Sequence, residues 1–279
     1  MKTLLPSHES NYDSTTEVNK KEQFGDYIFP DQRIGVVIPA YNEEMNIGKT
    51  LQRIPKNISN KLEIAVIDDG SIDNTYQIVS KYDVNVIRHS KNRGNGAATK
   101  TGINFFRKKN SDVVVILDGD GQHDPKYISK FVEPILTNSC DFVIGNRFTY
   151  FYDMNAYRKF CSKLMTALYF LLFRKKVSDP TNGYRALSSR LVNNLTFDSE
   201  YSLTQEMLFK IIPYYNYKQI PIILKQRDHG YSFIKMRDYF SKIILLFIKY
   251  YIFPKIKWIT HRIFSKKFRD RVRIYILKT

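Results

Sequence analysis

The stretch VVVILDGDGQHDP, residues 113–125, decides how the rest of the chain is read. Its apolar run, Val113 to Leu117, goes straight into Asp118, Gly119, Asp120, Gly121, Gln122, His123, Asp124 and Pro125. A short apolar run closed by glycine reads as a strand buried on both faces rather than as a helix. Carboxylates at its exit are costly to desolvate unless something positive meets them. They therefore either cap the next helix or hold a cation. Side chains two apart on extended backbone face the same way, so Asp118, Asp120 and Gln122 can present oxygens to one side. Hard ions such as Mg2+ and Mn2+ prefer such oxygens and often bind through carboxylates plus substrate phosphates. Asp124, directly before Pro125, reads instead as the N-cap of a helix beginning PKYISK.

Working outward, the same alternation repeats. IGVVIPA (34–40), EIAVIDD (63–69), VNVIRH (84–89) and CDFVIG (140–145) read as further strands. Between them EEMNIGKTLQRI, NTYQIVSKY, GAATKTGINFF and PKYISKFVEPIL carry helical apolar spacing. Strands alternating with helices of this length imply an α/β fold with a mostly parallel sheet flanked by helices. Ligands in such sheets bind at the carboxyl ends of the strands. The polar clusters PAYNEE, DDGSIDNT, DGDGQHDP and GNRF all fall at such ends. The turn after the first strand lacks the glycines of a dinucleotide site, and no G-x-x-x-x-G-K-[ST] element is present. Gly94 and Gly96 in NRGNGAATKTG serve equally well as easers of a tight strand-to-helix turn. Asp68 and Asp69 can receive a nucleobase N–H or a ribose hydroxyl, whereas Ser71 and Asp73 also fit plain turn and cap chemistry.

The 279 residues, 43% hydrophobic with 20 Tyr and 19 Phe, suffice for one large domain with appendages. Residues 1–30 are polar and unpatterned, a tail with neither a secretory nor a spanning signature; 31–238 form the α/β domain that carries the strand-end clusters; 239–279 form a basic amphipathic segment. The net charge is +17. From Lys242 onward there are eleven basic residues and one acid, so this short segment carries ten of those charges. Its apolar runs are shorter than the roughly 20 residues a spanning helix needs. Lysines, Trp258 and tyrosines interrupt them, and Pro254 divides the segment. This composition suits helices lying in a membrane interface. MTALYFLLF (165–173) reads as a core helix or one beside a lipid. Cys140 and Cys161 give neither a disulfide framework nor a zinc spacing, and a cytoplasmic-side location follows.

VVIPAYNEE, VIDDGSIDNT, NRGNGAA, LDGDGQHDP, GNRF and DPTNGYRAL, in that order over about residues 33–235, resemble the family 2 glycosyltransferases with the GT-A, Rossmann-like fold. The closest likeness is to the dolichol-phosphate mannose synthase branch and its polyprenyl-phosphate relatives. That resemblance implies nucleoside contacts from Pro39, Tyr41, Glu43 and Asp69. It implies a Mg2+ or Mn2+ ion on the donor diphosphate, held by Asp118, Asp120 and Gln122. Phosphates of donor and acceptor would be met by Arg147, Arg158 with Ser162, and Arg227 with Ser232. Asp179, Gly183 and Arg185 match the D-x-x-x-G-[FY]-R segment, and Glu206 the acid of the following helix, with Asp120, Arg147, Arg158, Arg227 and Glu206 as the catalytic set. The lysine that often follows the serine of R-x-x-G-x-S is Phe233 here, with Lys235 the nearest substitute.

The expected reaction is inverting transfer of a sugar from a nucleotide donor to a dolichyl or polyprenyl phosphate at a membrane surface. GDP-mannose is the first choice of donor, with UDP-glucose and UDP-N-acetylglucosamine as alternatives. A phosphate monoester carries about −1.5 to −2 charges near neutrality and needs no base to attack. A hydroxyl acceptor would need one, drawn from Glu206, Asp179 or Asp153. Nucleic-acid binding, suggested by the charge alone, is opposed by acids at the strand ends, which repel phosphate unless a metal intervenes. A catalytically dead fold is opposed by the intact D-x-D-x-Q.

Overall fold

The computed structural model describes residues 29–149, 156–200, 202–225, 244–253 and 255–256, without the side chains of 156–158. Residues 1–28 of the N-terminal tail, Asp153, Arg227, Ser232, Phe233, Lys235, Pro254 and residues 257–279 lie outside the described residues, as does the Arg158 side chain.

The chain runs β1 (Arg33–Ala40), α1 (Ile47–Gln52), β2 (Lys61–Asp68), α2 (Thr75–Val79), β3 (Asn85–Arg88), α3 (Asn95–Lys108) and β4 (Val113–Ile116). A 3-10 turn, Pro125–Tyr127, leads into α4 (Ile128–Leu136), then β5 (Phe142–Asn146) and α5 (Ala156–Phe173). β6 (Arg185–Ser188), α6 (Ser189–Asn194), α7 (Leu203–Ile211) and β7 (Tyr217–Pro221) follow. Residues 244–253 form a last helix, α8, which contains a π-helical turn at Ile248–Ile252.

The strands form one seven-stranded sheet in the order β3-β2-β1-β4-β6-β5-β7. β1 pairs parallel with β2 and β4, and β2 with β3. β6 is antiparallel to both β4 and β5, while β5 and β7 are parallel. Six strands thus point one way and β6 alone points back. Strand side chains alternate between faces, and two cores result. Val37, Val114 and Ile116 face one with α3, α5, α6 and α7. Val36, together with Ile34, Ile38, Val113 and Val115, faces the other, against α1, α2 and α4. α3 lies close on β1 because Gly102 has no side chain: a Cβ there would sit 2.3 Å from Val37.

The five strands read from apolar runs are present. β6 and β7 were not among the expectations. β6 is four residues long, and its first residue, Arg185, is 1% exposed. A buried arginine carries no strand signal in a hydropathy pattern. Asp124 caps as expected, its side chain accepting the Lys126 amide ahead of Pro125. Asp73 instead folds back on Thr75 and holds the Glu44 amide at 3.1 Å, and Asn74 occupies the cap position of α2.

Candidate active site

Because β6 is reversed, the segment that precedes it, residues 179–184, arrives at the edge where the parallel strands end. The register sets Arg185 opposite Ile116, bringing Gly183 against the start of the acidic loop. A Cβ on Gly183 would lie 2.8 Å from Asp118 Oδ2. Only glycine leaves that carboxylate its place. The D-x-D and D-x-x-x-G elements are therefore two walls of one cleft.

Asp118 is held from two further directions. Its amide donates to His123 Nδ1 at 3.0 Å, which assigns the ring proton to Nε2. The His123 ring lies 5.0 Å from that of Tyr184. The Asn95 side-chain amide, at the start of α3, donates to Asp118 Oδ1 at 3.2 Å. Asp120 Oδ1 accepts the Gln122 amide at 3.1 Å, a tight turn completed by Gly121 at φ 79°. Gln122 donates its side-chain amide to Lys225 O and accepts the Lys225 amide on its own carbonyl. Lys225 Nζ reaches Asp124 Oδ2 at 3.1 Å. The acidic loop is thereby fastened to the chain leaving β7.

Among the described residues no group of three His, Cys, Asp or Glu forms a metal cluster. The donor set nevertheless fits a hard divalent ion. Two carboxylates and an amide oxygen match an ion that keeps its other positions for phosphate and water, and Gly183 leaves the Asp118 carboxylate its place.

The acids at the end of β2 behave differently. Asp68 accepts the Ser71 amide at 3.0 Å. Arg88 Nε sits 3.0 Å from Asp68 Oδ2, yet that oxygen has no aligned hydrogen bond, so the contact is an ion pair alone. Asp69 is 2% exposed. Its carboxylate accepts the amides of Arg93 (3.1 Å to each oxygen) and Gly94 (2.6 Å) and lies 2.6 Å from His89 Nδ1. His89 Nε2 meets Thr101 Oγ1 at 3.0 Å. Asp69 thus grips the loop before α3 instead of facing outward. Pro39 is buried, and its carbonyl accepts the Gly119 amide. Tyr41 is half-buried. Glu43 is buried, accepting the Asn46 side-chain amide at 2.8 Å while its own amide donates to Thr75 Oγ1. These contacts lace the loops after β1 and β2 into one wall.

A second cluster brings together three residues singled out in the sequence. Arg147, just after β5, pairs with buried Asp179 through Nε (2.8 Å) and Nη2 (3.0 Å) and also donates to Thr181 Oγ1. Ser162 of α5, 1% exposed, lies 3.4 Å from the same Thr181 hydroxyl. Arg158 is on α5 one turn before Ser162. Arg185 is internal, donating to the carbonyls of Pro180, Asn182 and Thr204.

Glu206, fully buried in α7, accepts the amides of Asp198 and Ser199, the Tyr250 hydroxyl (2.6 Å) and Lys210 Nζ (2.8 Å). Burial alone would raise its pKa, but Lys210, Tyr250 and the two amides outweigh burial and hold it below the usual range. Burial and the same bond push the Tyr250 hydroxyl well up. A carboxylate so enclosed fastens α8 to α7; it is a structural place for a residue expected to be catalytic. Asn95, His123, Thr181 and Lys225 were missed by the sequence reading. Asn95, His123 and Thr181 stood inside quoted motifs, but their partners are set by folding.

The model of the family described as Glycosyl transferase family 2 matches residues 35–196. A dolichol-phosphate mannosyltransferase of Pyrococcus furiosus is 31% identical over 237 residues, 81% of this chain and 64% of that protein. A UDP-N-acetylglucosamine–dolichyl-phosphate N-acetylglucosaminyltransferase of Methanococcus voltae is 32% identical over 188 residues, 60% of this chain and 73% of that one. The fold is similar to that of Mycobacterium tuberculosis glucosyl-3-phosphoglycerate synthase, crystallised with Mn2+, UDP and glucosyl-3-phosphoglycerate. The TM-score is 0.63 at 21% identity, covering 78% of this chain and 80% of that one.

Proposed function

We propose that this chain, which belongs to glycosyl transferase family 2 and is a glycosyltransferase of the GT-A fold, moves a sugar from a nucleotide donor to a polyprenyl or dolichyl phosphate at a membrane surface. The observation that carries the reading is the pairing of two unlike clusters at one edge of the sheet. Oxygen donors, Asp118, Asp120 and Gln122, stand at the end of β4, and Arg147 with Thr181 and Ser162 stands at the end of β5. The relatives named for dolichyl phosphate support the acceptor class.

Asp118, Asp120 and Gln122 would hold a divalent ion, which when bound neutralises charge on the departing nucleoside diphosphate. The walls after β1 and β2 bind and orient the nucleoside through Pro39, Tyr41 and Glu43, with Asp69 shaping the loop beside them. The Arg147 region, with Arg158, Arg227 and Ser232, orients the acceptor phosphate by charge-assisted hydrogen bonds. A phosphate oxygen forms the new bond to the anomeric carbon as the carbon–oxygen bond to the diphosphate breaks, with inversion. No proton need leave the acceptor, and this suits the site. Glu206 and Asp179, two carboxylates considered as a base, are buried and already ion-paired. GDP-mannose is the first donor to try, then UDP-glucose and UDP-N-acetylglucosamine.

The test is to incubate protein, Mn2+ and a short polyprenyl phosphate with labelled GDP- and UDP-sugars and to count label in the organic phase. Label from one donor is expected. Transfer to an added glycan hydroxyl, with none to lipid, would overturn the acceptor assignment and leave the fold standing.

A further inference from the structure

Ile222 to Lys225, which follow β7, form a strap from the end of β5 to the acidic loop after β4. Ile222 is 1% exposed and donates its amide at 3.0 Å to the carbonyl of Asn146, the residue before Arg147. Its side chain lies so close on β5 that a Cβ on Gly145 would stand 2.9 Å from Ile222 Cδ1. The Ile223 amide donates to the Tyr127 hydroxyl at 3.1 Å, and the Lys225 amide to the Gln122 carbonyl at 3.0 Å. Three residues of chain reach about 11 Å at most, so the strap limits how far the acidic loop stands from the end of β5.

Lys225 closes the strap, and each of its polar groups holds a different part of the loop. Its amide holds the Gln122 carbonyl, its carbonyl receives the Gln122 side chain at 3.2 Å, and its ammonium reaches Asp124 Oδ2 at 3.1 Å. The second of these contacts decides the chemistry. A carboxamide carries a donor nitrogen and an acceptor oxygen, and a glutamine that turns freely offers either. A backbone carbonyl only accepts, so Lys225 O takes the NH2 end, and Gln122 turns its oxygen away from the strap. A divalent cation binds that oxygen and is repelled by the NH2 end. The ammonium keeps the carbonyl in place because Asp124 is itself fixed. The other oxygen of Asp124 caps the Lys126 amide at 3.2 Å, and its backbone carbonyl accepts the Tyr184 hydroxyl at 3.3 Å.

We infer that Lys225 is a positioning residue for the divalent ion and acts through Gln122, fixing the side-chain amide so that oxygen, and not nitrogen, is the end offered to the metal. This deepens the proposed function and rests on it for the ion itself. It gives work to a residue outside the D-x-D-x-Q motif, on a segment more than 100 residues further along the chain.

The experiment is calorimetric titration of the full chain with Mn2+, in the presence of whichever of GDP and UDP the wild type binds, alongside thermal denaturation. Lys225→Met is expected to bind Mn2+ about tenfold more weakly at an unchanged thermal midpoint, and Lys225→Arg to recover most of that loss. Asp124→Asn keeps the cap and loses the ion pair. It breaks the same clasp from the other side, with the same expected loss, so the test survives a lysine variant that folds poorly. Action through Gln122 is read from a double-mutant cycle. In a Gln122→Ala background, Lys225→Met should cost less than about twofold more. Unchanged Mn2+ affinity in the folded variants overturns the inference, and so does a full loss that persists in the Gln122→Ala background. A wild type that takes up no Mn2+ with either nucleotide overturns this inference and the ion site together. The expected pattern of Mn2+ affinities, in a chain that transfers no sugar to polyprenyl phosphate, would fail the acceptor assignment alone and leave Lys225 in its role.

Discussion

Two strands of this sheet, β2 and β4, end in acids, and the acids do opposite things. At the end of β2, Asp68 and Asp69 are buried and turned into the protein, against Arg88, Ser71, His89 and the amides of 93 and 94. At the end of β4, on the far side of the shared neighbour β1, Asp118 is about a third exposed, its carboxylate seated against Gly183, and Asp120 is half-buried. Residue type and position at a strand exit are the same. What differs is the supply of nearby backbone donors. Where a loop offers its amides, an aspartate becomes a fastener; where glycines withdraw, it is left to meet a ligand.

The contrast is breakable by substitution. Asp120→Ala should lower metal-dependent turnover by about 10³-fold and leave the thermal midpoint in place; activity with unchanged metal dependence would remove Asp120 from the ion site. Asp69→Ala should do the reverse, costing about 3 kcal/mol of stability by stranding two amides and His89. A denaturation midpoint equal to wild type would show that the β2 acids are not fasteners. Glu206→Gln extends the test to a third carboxylate. Its folded pKa is depressed, so its contribution is complete above the unfolded glutamate value of about 4.3 and fades as pH falls through the folded one. The stability gap between wild type and this variant, about 2 kcal/mol near neutrality, should therefore close in acid; a gap independent of pH would contradict the ion pair with Lys210. Gly183→Ala pushes on Asp118 and should weaken Mn2+ binding, measured by calorimetry with nucleoside diphosphate present, by about 30-fold. Asn95→Ala only frees the same carboxylate to turn and should cost about tenfold; equal affinities in these last two variants would mean that Asp118 is not held for the ion.

Much of this contrast was out of reach of the linear chain. The apolar runs of β1 to β5 and the cap at Asp124 are local facts, and local pattern reveals them. So is the clustering of acids at strand exits, which located the candidate site's edge. Which acids face outward is not local. It depends on Asn95 meeting Asp118 across 23 residues, and on Gly183 reaching it through a strand whose register no hydropathy pattern records. Glu206 matched a motif, yet its surroundings come from Lys210 and from Tyr250, 44 residues on. Motifs named the residues, and packing assigned the work.

The reversed strand has a consequence for how the enzyme comes into being. β6 sits between β4 and β5, although it follows both in the chain. A growing chain that has made five strands holds every acid of the D-x-D loop, but the centre of its sheet is still open. The last wall of the cleft arrives only when β6 threads into that gap, a long-range closure of the kind that slows folding. Catalytic competence is thus the final product of assembly, and a chain stopped before residue 185 would carry the motif without the machine.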